Sequence, residues 1–226
     1  MTDRITTDRI TTDHIATGRS AVLGFLFRPL VCLVLLLTAV PLSAHAQPAT
    51  SNTDGLFLHV RAGGHGIAFE DAGDDTGATL GLRAGYGFSD RFTLYLGLEG
   101  AGLDGNSRLP GLDTDEDSGL VYAELGGRFH FRPGRRLVPY ADAAIAVIGA
   151  GSEARAYGGD VGYGGAGLSL GGGALYFLSP TVALEGGGSF TPGSLMERDL
   201  GGADEDIGVG VAGVRMHVGL TLYPFR

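Results

Sequence analysis

The residues best equipped for chemistry in this sequence are charged, and they come in matched numbers. Arg61, Arg83, Arg128 and Arg215 each lie in a stretch that alternates apolar with polar residues, and so do Glu99, Glu124, Asp142 and Glu185. A buried charge is costly unless it is paired and hydrogen-bonded. The planar arginine fork can hold a carboxylate with two bonds. If the fold encloses these eight residues, a neutral ion network is expected, either as a structural plug or as a gate whose ion pairs exchange to open a narrow water path. His59, His130 and His217 lie in stretches of the same kind and are potential metal ligands if brought together; inert polar groups are the simpler reading. The run Asp113-Thr114-Asp115-Glu116-Asp117-Ser118-Gly119 has carboxylates at nearly the spacing of a calcium loop. Its glycine is seventh rather than sixth, however, and the twelfth position, Glu124, falls on an alternating stretch, so a solvated acidic loop is expected. No metal site, cofactor site or catalytic residue is assigned.

The elements that must position these side chains follow from a period of two, the signature of a β-strand. Leu56, Leu58, Val60 and Ala62 fall on one face and Phe57, His59 and Arg61 on the other. Leu80 to Phe88 places Arg83 opposite its apolar face, and Phe92 to Glu99 does the same for Glu99. Val121 to His130 opposes Val121, Ala123, Leu125 and Phe129 to Tyr122, Glu124, Arg128 and His130. Segments around Tyr140–Val147, Gly165–Tyr176, Val182–Phe190 and Val214–Leu222 complete a set of eight, most about ten residues long, the length of a tilted membrane strand. In the sixth segment Gly165, Gly167, Gly171 and Gly173 share the polar face and are expected to leave room beside it.

Connections are expected to alternate in length. Ser89-Asp90-Arg91, Arg132 to Arg136 and Leu178-Ser179-Pro180 read as tight turns. Gly63–Ala78, Gly102–Ser118, Ala150–Gly162 and Thr191–Asp206 read as long loops. They carry most of the acid, including Asp71, Asp74, Asp75, Asp204, Glu205 and Asp206. Phe88, Phe92, Phe129, Phe131, Tyr176, Phe177, Tyr223 and Phe225 lie beside the tight turns, as an interfacial aromatic girdle would. Phe69, Tyr157 and Phe190 are candidates for a weaker girdle at the other end.

Composition narrows the class. Glycine accounts for 41 of 226 residues, which disfavours long helices. Lysine is absent, and the net charge of −9 argues against a nucleic-acid partner. Leu30 to Leu42 is a 13-residue apolar run, preceded by Arg19 and Arg28 and followed by Ala44-His45-Ala46. It is too short to span a bilayer and has the pattern of a cleaved secretory signal. Residues 1–46 are thus expected to be an N-terminal extension and signal peptide, and 47–226 the mature domain. The only cysteine, Cys32, lies in the leader, so no disulfide is expected.

On these residues the chain resembles the small eight-stranded outer-membrane β-barrel superfamily, of the OmpA-transmembrane-domain and OmpX type. The resemblance covers nearly all of Gly55 to Arg226. Gly219-Leu220-Thr221-Leu222-Tyr223-Pro224-Phe225 is similar to the C-terminal signature read by the barrel-assembly machinery, although Pro224 interrupts it and Arg226 is last. The resemblance implies an all-β, antiparallel up-and-down transmembrane barrel of eight strands. Long loops would be extracellular and termini periplasmic, with no peptidoglycan-binding domain following. The implied partners are outer-membrane lipid and lipopolysaccharide, with the assembly machinery during biogenesis, for a monomer. The expected role is non-enzymatic, either envelope integrity or surface interaction through acidic loops. A narrow gated channel and a lipid-modifying barrel are the alternatives. Against the last, no His-x-Ser pair occurs, and His65 is expected to be a solvated loop residue.

Overall fold

The computed structural model describes residues 51–70, 73–103, 118–154, 159–200 and 204–224. The expected leader lies outside the described residues, as do Asp71, Asp113, Asp115, Glu116, Asp117, Tyr157, Phe225 and Arg226. Eight strands follow in chain order: β1 (Gly55–Phe69), β2 (Gly73–Ser89), β3 (Phe92–Gly102), β4 (Ser118–His130), β5 (Leu137–Ala154), β6 (Gly159–Ser179), β7 (Val182–Leu200) and β8 (Asp204–Leu222). Each pairs antiparallel with the next, and β8 pairs with β1 through registers such as Val60 with Leu220, closing the barrel. Closure leaves no strand edge unpaired, the condition for a sheet in hydrocarbon.

The alternation assigns the faces as the sequence indicates. Leu58, Leu82, Leu96, Leu125, Ile145, Leu168 and Val218 are exposed on the outside, while Arg61, Arg83, Glu99, Glu124 and Asp142 are buried inside. Two tight turns fall within the stretches expected or beside them, and the third lies at Pro180–Thr181, since Leu178 and Ser179 still belong to β6. Asp90 and Arg91 join β2 to β3, residues 131–136 join β4 to β5, and Pro180 and Thr181 join β6 to β7. Gly134 in the second turn has φ of 80°, a left-handed conformation that glycine adopts without strain.

Three of the four expected long loops are mostly strand. Only residues 70–72 separate β1 from β2, 155–158 separate β5 from β6, and 201–203 separate β7 from β8. Residues 103–117 between β3 and β4 remain a long connection, and all but Leu103 of it lies outside the described residues. Asp74, Asp75, Glu205 and Asp206 therefore stand on strands rather than in loops. The strands outrun the apolar band. The 21 residues of β6, at about 3.3 Å each and a tilt of about 40°, rise about 50 Å, against an apolar band about 25 Å tall.

Above that band the polarity of the wall inverts. Ile67, Phe69, Leu120, Ile148, Val161 and Leu195 point inward and are buried. Several outward positions at that level are small or polar, among them Gly64, Thr76, Ala78, Gly100 and Gly102, while Val121, Val147 and Met196 stay apolar and exposed beside Leu120, Ile148 and Leu195. Two other expectations change for related reasons. Phe177 and Tyr223 do not belong to the turn-side girdle, and Phe69 does not belong to the loop-side one; all three are inside the barrel. Their position in the two-residue register, rather than their aromatic character, decides which face they take. Phe88, Phe92, Phe129, Phe131, Tyr176 and Phe190 are exposed on the outer face.

Inward glycines are matched to large inward neighbours, so the room they leave is filled. A Cβ added at Gly126 would fall 2.6 Å from Tyr95 Cζ and 2.7 Å from Ala144 Cβ. At Gly173 it would meet Tyr140 Oη, and at Gly171 an oxygen of Asp142. The open space expected along β6 is thus taken by side chains of β5 at Gly171 and Gly173, and at Gly165 and Gly167 by the close approach of the β7 backbone. Gly126→Ala is expected to destabilise the barrel by about 1–3 kcal/mol through overpacking. Gly127→Ala, on the outer face with its nearest contact at 3.4 Å, is expected to stay within about 0.5 kcal/mol of the parent. Urea unfolding of both variants in the same lipid vesicles checks the contrast.

Candidate functional site

The interior is built in three layers. At the turn side, Phe57, Tyr95, Val138, Leu175, Phe177 and Tyr223 belong to one apolar cluster. At the loop side, Ile67, Phe69, Leu120, Ile148, Leu195 and Val211 belong to another. The eight charged residues singled out in the sequence lie between them, with side chains no more than 5% exposed. The first layer is capped further. Thr53 Oγ1 donates to the Asp90 carbonyl at 2.6 Å, and Ser51 Oγ accepts from the Gly134 N–H at 2.7 Å, tying the segment before β1 to two turns.

All eight charges form one continuous network. Arg61 on β1 pairs with Glu99 on β3 and approaches Glu124 on β4 at 3.5 Å. Arg83 on β2 donates to Glu124 at 2.8 Å and to Asp142 on β5 at 3.0 Å. Arg128 on β4 donates to Asp142 at 3.1 Å and grips both oxygens of Glu185 on β7, at 2.8 and 3.1 Å. Arg215 on β8 crosses the lumen to Glu124 at 2.5 Å and approaches Glu99 at 3.8 Å. Glu124 is the hub, meeting three arginines.

Neutral partners complete the shell. Tyr140 and Thr221 donate to Glu185 at 2.7 and 2.8 Å. Arg215 also donates to Ser169 and Thr191, each at 2.9 Å. The guanidinium carbons of Arg83, Arg128 and Arg215 sit 4.5, 3.7 and 4.5 Å from the ring centroids of Tyr95, Tyr140 and Tyr122. Such stacking adds attraction where water is excluded. Charge counting alone did not find these partners. Their common signal is the inward register on neighbouring strands, which Thr191 lost by falling in an expected loop.

The histidines are placed differently from one another. His59 and His217 have ring centroids 6.0 Å apart, and each lies 3.6 Å from Glu185. Among the described residues no group of three or more His, Cys, Asp or Glu side chains is arranged to hold a metal ion. His65 is buried on β1 with Nε2 2.9 Å from the Tyr122 hydroxyl, contrary to the solvated loop position expected. Of the calcium-like run, only Ser118 and Gly119 are described, and Glu124 is committed to the lumen network.

Residues 32–214 match the family described as outer membrane protein beta-barrel domain. Neisserial surface protein A has a similar structure, with a TM-score of 0.56 and 17% identity over 75% of this chain and 97% of that one. OprG of Pseudomonas aeruginosa gives a TM-score of 0.46 and 15% identity over 77% and 98% of the two chains. Ail of Yersinia pestis gives 0.45 and 12% over 75% and 99%. At these identities the first likeness speaks to fold alone, and the other two are too distant to add to it. No curated protein matches the chain in sequence.

Arg128→Ala would leave Glu185 without its closest cation and Asp142 with Arg83 alone. It is expected to lower unfolding stability by about 3–5 kcal/mol. Arg128→Ala combined with Glu185→Gln is expected to recover part of that loss. A double-mutant cycle in vesicles measures the coupling.

Proposed function

Because the chain belongs to the outer membrane protein β-barrel family, we propose that it is a closed, non-conducting barrel of the bacterial outer membrane that acts through its loop-side rim. The observation that carries this reading is the occluded lumen. A paired ion network is stacked between two apolar clusters, and the mouth at the turn side is tied down by Ser51 and Thr53. Eight-stranded interiors are generally filled by side chains. Here each potential opening beside an inward glycine is used by a neighbouring residue.

The rim supports a role at the surface. Glu70, Asp74, Glu197, Asp199, Glu205 and Asp206 are exposed there, on strands that project past the apolar band. In the proposed orientation this end faces outward, and both termini face the periplasm. The acidic rim then favours cationic surfaces or divalent cations bridging to lipopolysaccharide, and the barrel stabilises the envelope without chemistry of its own.

Planar-bilayer recording tests the reading. The parent protein is expected to give no stepwise currents, whereas Glu124→Ala, which removes the hub of the network, is expected to give intermittent ones. Regular steps from the parent would overturn the closed barrel in favour of a channel. Protease treatment of intact cells is expected to cut within 104–117 and spare the three tight turns.

A further inference from the structure

Four described arginines lie outside the lumen at the turn side, and they are gathered on one sector of the wall. Arg91 is in the β2–β3 turn, and Arg132, Arg135 and Arg136 are in the β4–β5 turn; all four are exposed. None has a carboxylate partner among the described residues. The His130 N–H donates to the Arg91 carbonyl, and the Phe177 N–H donates to the Arg136 carbonyl, each at 2.8 Å. The basic sector is therefore bounded by β3 and β6. The β2–β3 turn also carries Asp90, whose side chain lies against Asp54 of the segment before β1, and the remaining turn, Pro180–Thr181, carries no charge.

Two further features lie on the same strands. Phe92, Phe129, Phe131 and Tyr176 are exposed just above the arginines, at the depth where aromatic rings meet lipid headgroups. Higher on the outer face is a groove of about 540 Å³, walled by Leu94 and Leu125 on one side and Leu168 and Leu170 on the other, with Gly127 and Ala143 as its floor. Ala143 follows Arg136 by seven residues on β5. That is about 23 Å of strand and, at a tilt of about 40°, about 18 Å of depth. Half the hydrocarbon core is about 15 Å. A lipid whose phosphate lies among the arginines would thus have the end of an acyl chain in the groove.

We infer that the β3–β6 sector seats an anionic phospholipid of the turn-side leaflet. Its phosphate lies among Arg91, Arg132, Arg135 and Arg136, and one acyl chain lies in the groove over Gly127 and Ala143. A groove open to hydrocarbon and continuous with a basic rim through an aromatic belt fits a lipid, whereas a water-soluble anionic partner would reach the arginines only. The inference is independent of whether the lumen conducts.

Native mass spectrometry of the protein extracted from its membrane in non-ionic detergent provides the test, with phosphatidylglycerol and phosphatidylcholine of identical chains as probes. The parent is expected to retain phosphatidylglycerol at least tenfold better. The Arg91→Gln, Arg132→Gln and Arg135→Gln triple variant is expected to lose that preference and retain the two lipids about equally, since each basic residue near a lipid surface is worth about 1 kcal/mol. Gly127→Leu is expected to weaken retention of both lipids alike, since it fills the groove and keeps the charge. Equal retention of the two lipids by the parent, or an undiminished preference in the triple variant, would overturn the seat. Unchanged retention by Gly127→Leu would remove the acyl chain from it. Heat-modifiable gel mobility confirms that each variant is folded.

Discussion

Hydrocarbon on the outside of the wall is the constraint from which the rest of this molecule follows. No water is present there to satisfy a peptide group or a charge, so the sheet closes and each ionic side chain on the membrane strands turns to the axis. The axis of an eight-stranded barrel is narrow, and charges sent there must find one another. Arginine suits that task better than lysine, which this chain lacks altogether. Its fork serves two carboxylates at once, as Arg83 and Arg128 do, while its flat face stacks on Tyr95 and Tyr140.

The same argument explains why the wall changes character along its length. Where the hydrocarbon ends, water returns to the outer face, and the pattern becomes that of a soluble barrel with an apolar interior. Glycine is used throughout to reconcile large inward groups with a small circumference. Tyr95 occupies the space over Gly126, and Tyr140 the space beside Gly173. The abundance of glycine is therefore a packing device as much as a turn signal.

Much of this was legible in the sequence. Alternation gave the strand count and the face of each membrane residue, and the equal tally of acids and bases gave the membership of the network. The long strand extensions are not legible when one rule, apolar side outward, is applied along the whole chain. Beyond the band that rule reverses, and stretches such as Gly63–Ala78 then look like glycine-rich loops. Nearness to a turn is likewise a poorer guide to an aromatic residue's face than register, which puts Phe177 and Tyr223 inside. Which arginine meets which acid was also hidden, since contacts such as Arg215 with Glu124 cross the lumen and depend on its diameter.

That last contact bears on how the ring is assembled. Arg215 is on the final strand and Glu124 on the fourth, on opposite sides of the axis. In a curled but unsealed sheet the cation would keep only the neutral hydroxyls of Thr191 on β7 and Ser169 on β6, with no carboxylate opposite it. Zipping the first strand to the last and neutralising the lumen thus become a single step, and the ion network acts as a latch. Once it has engaged, the seam cannot part without separating buried charges, so the finished cylinder resists opening far more strongly than its precursor resists closing.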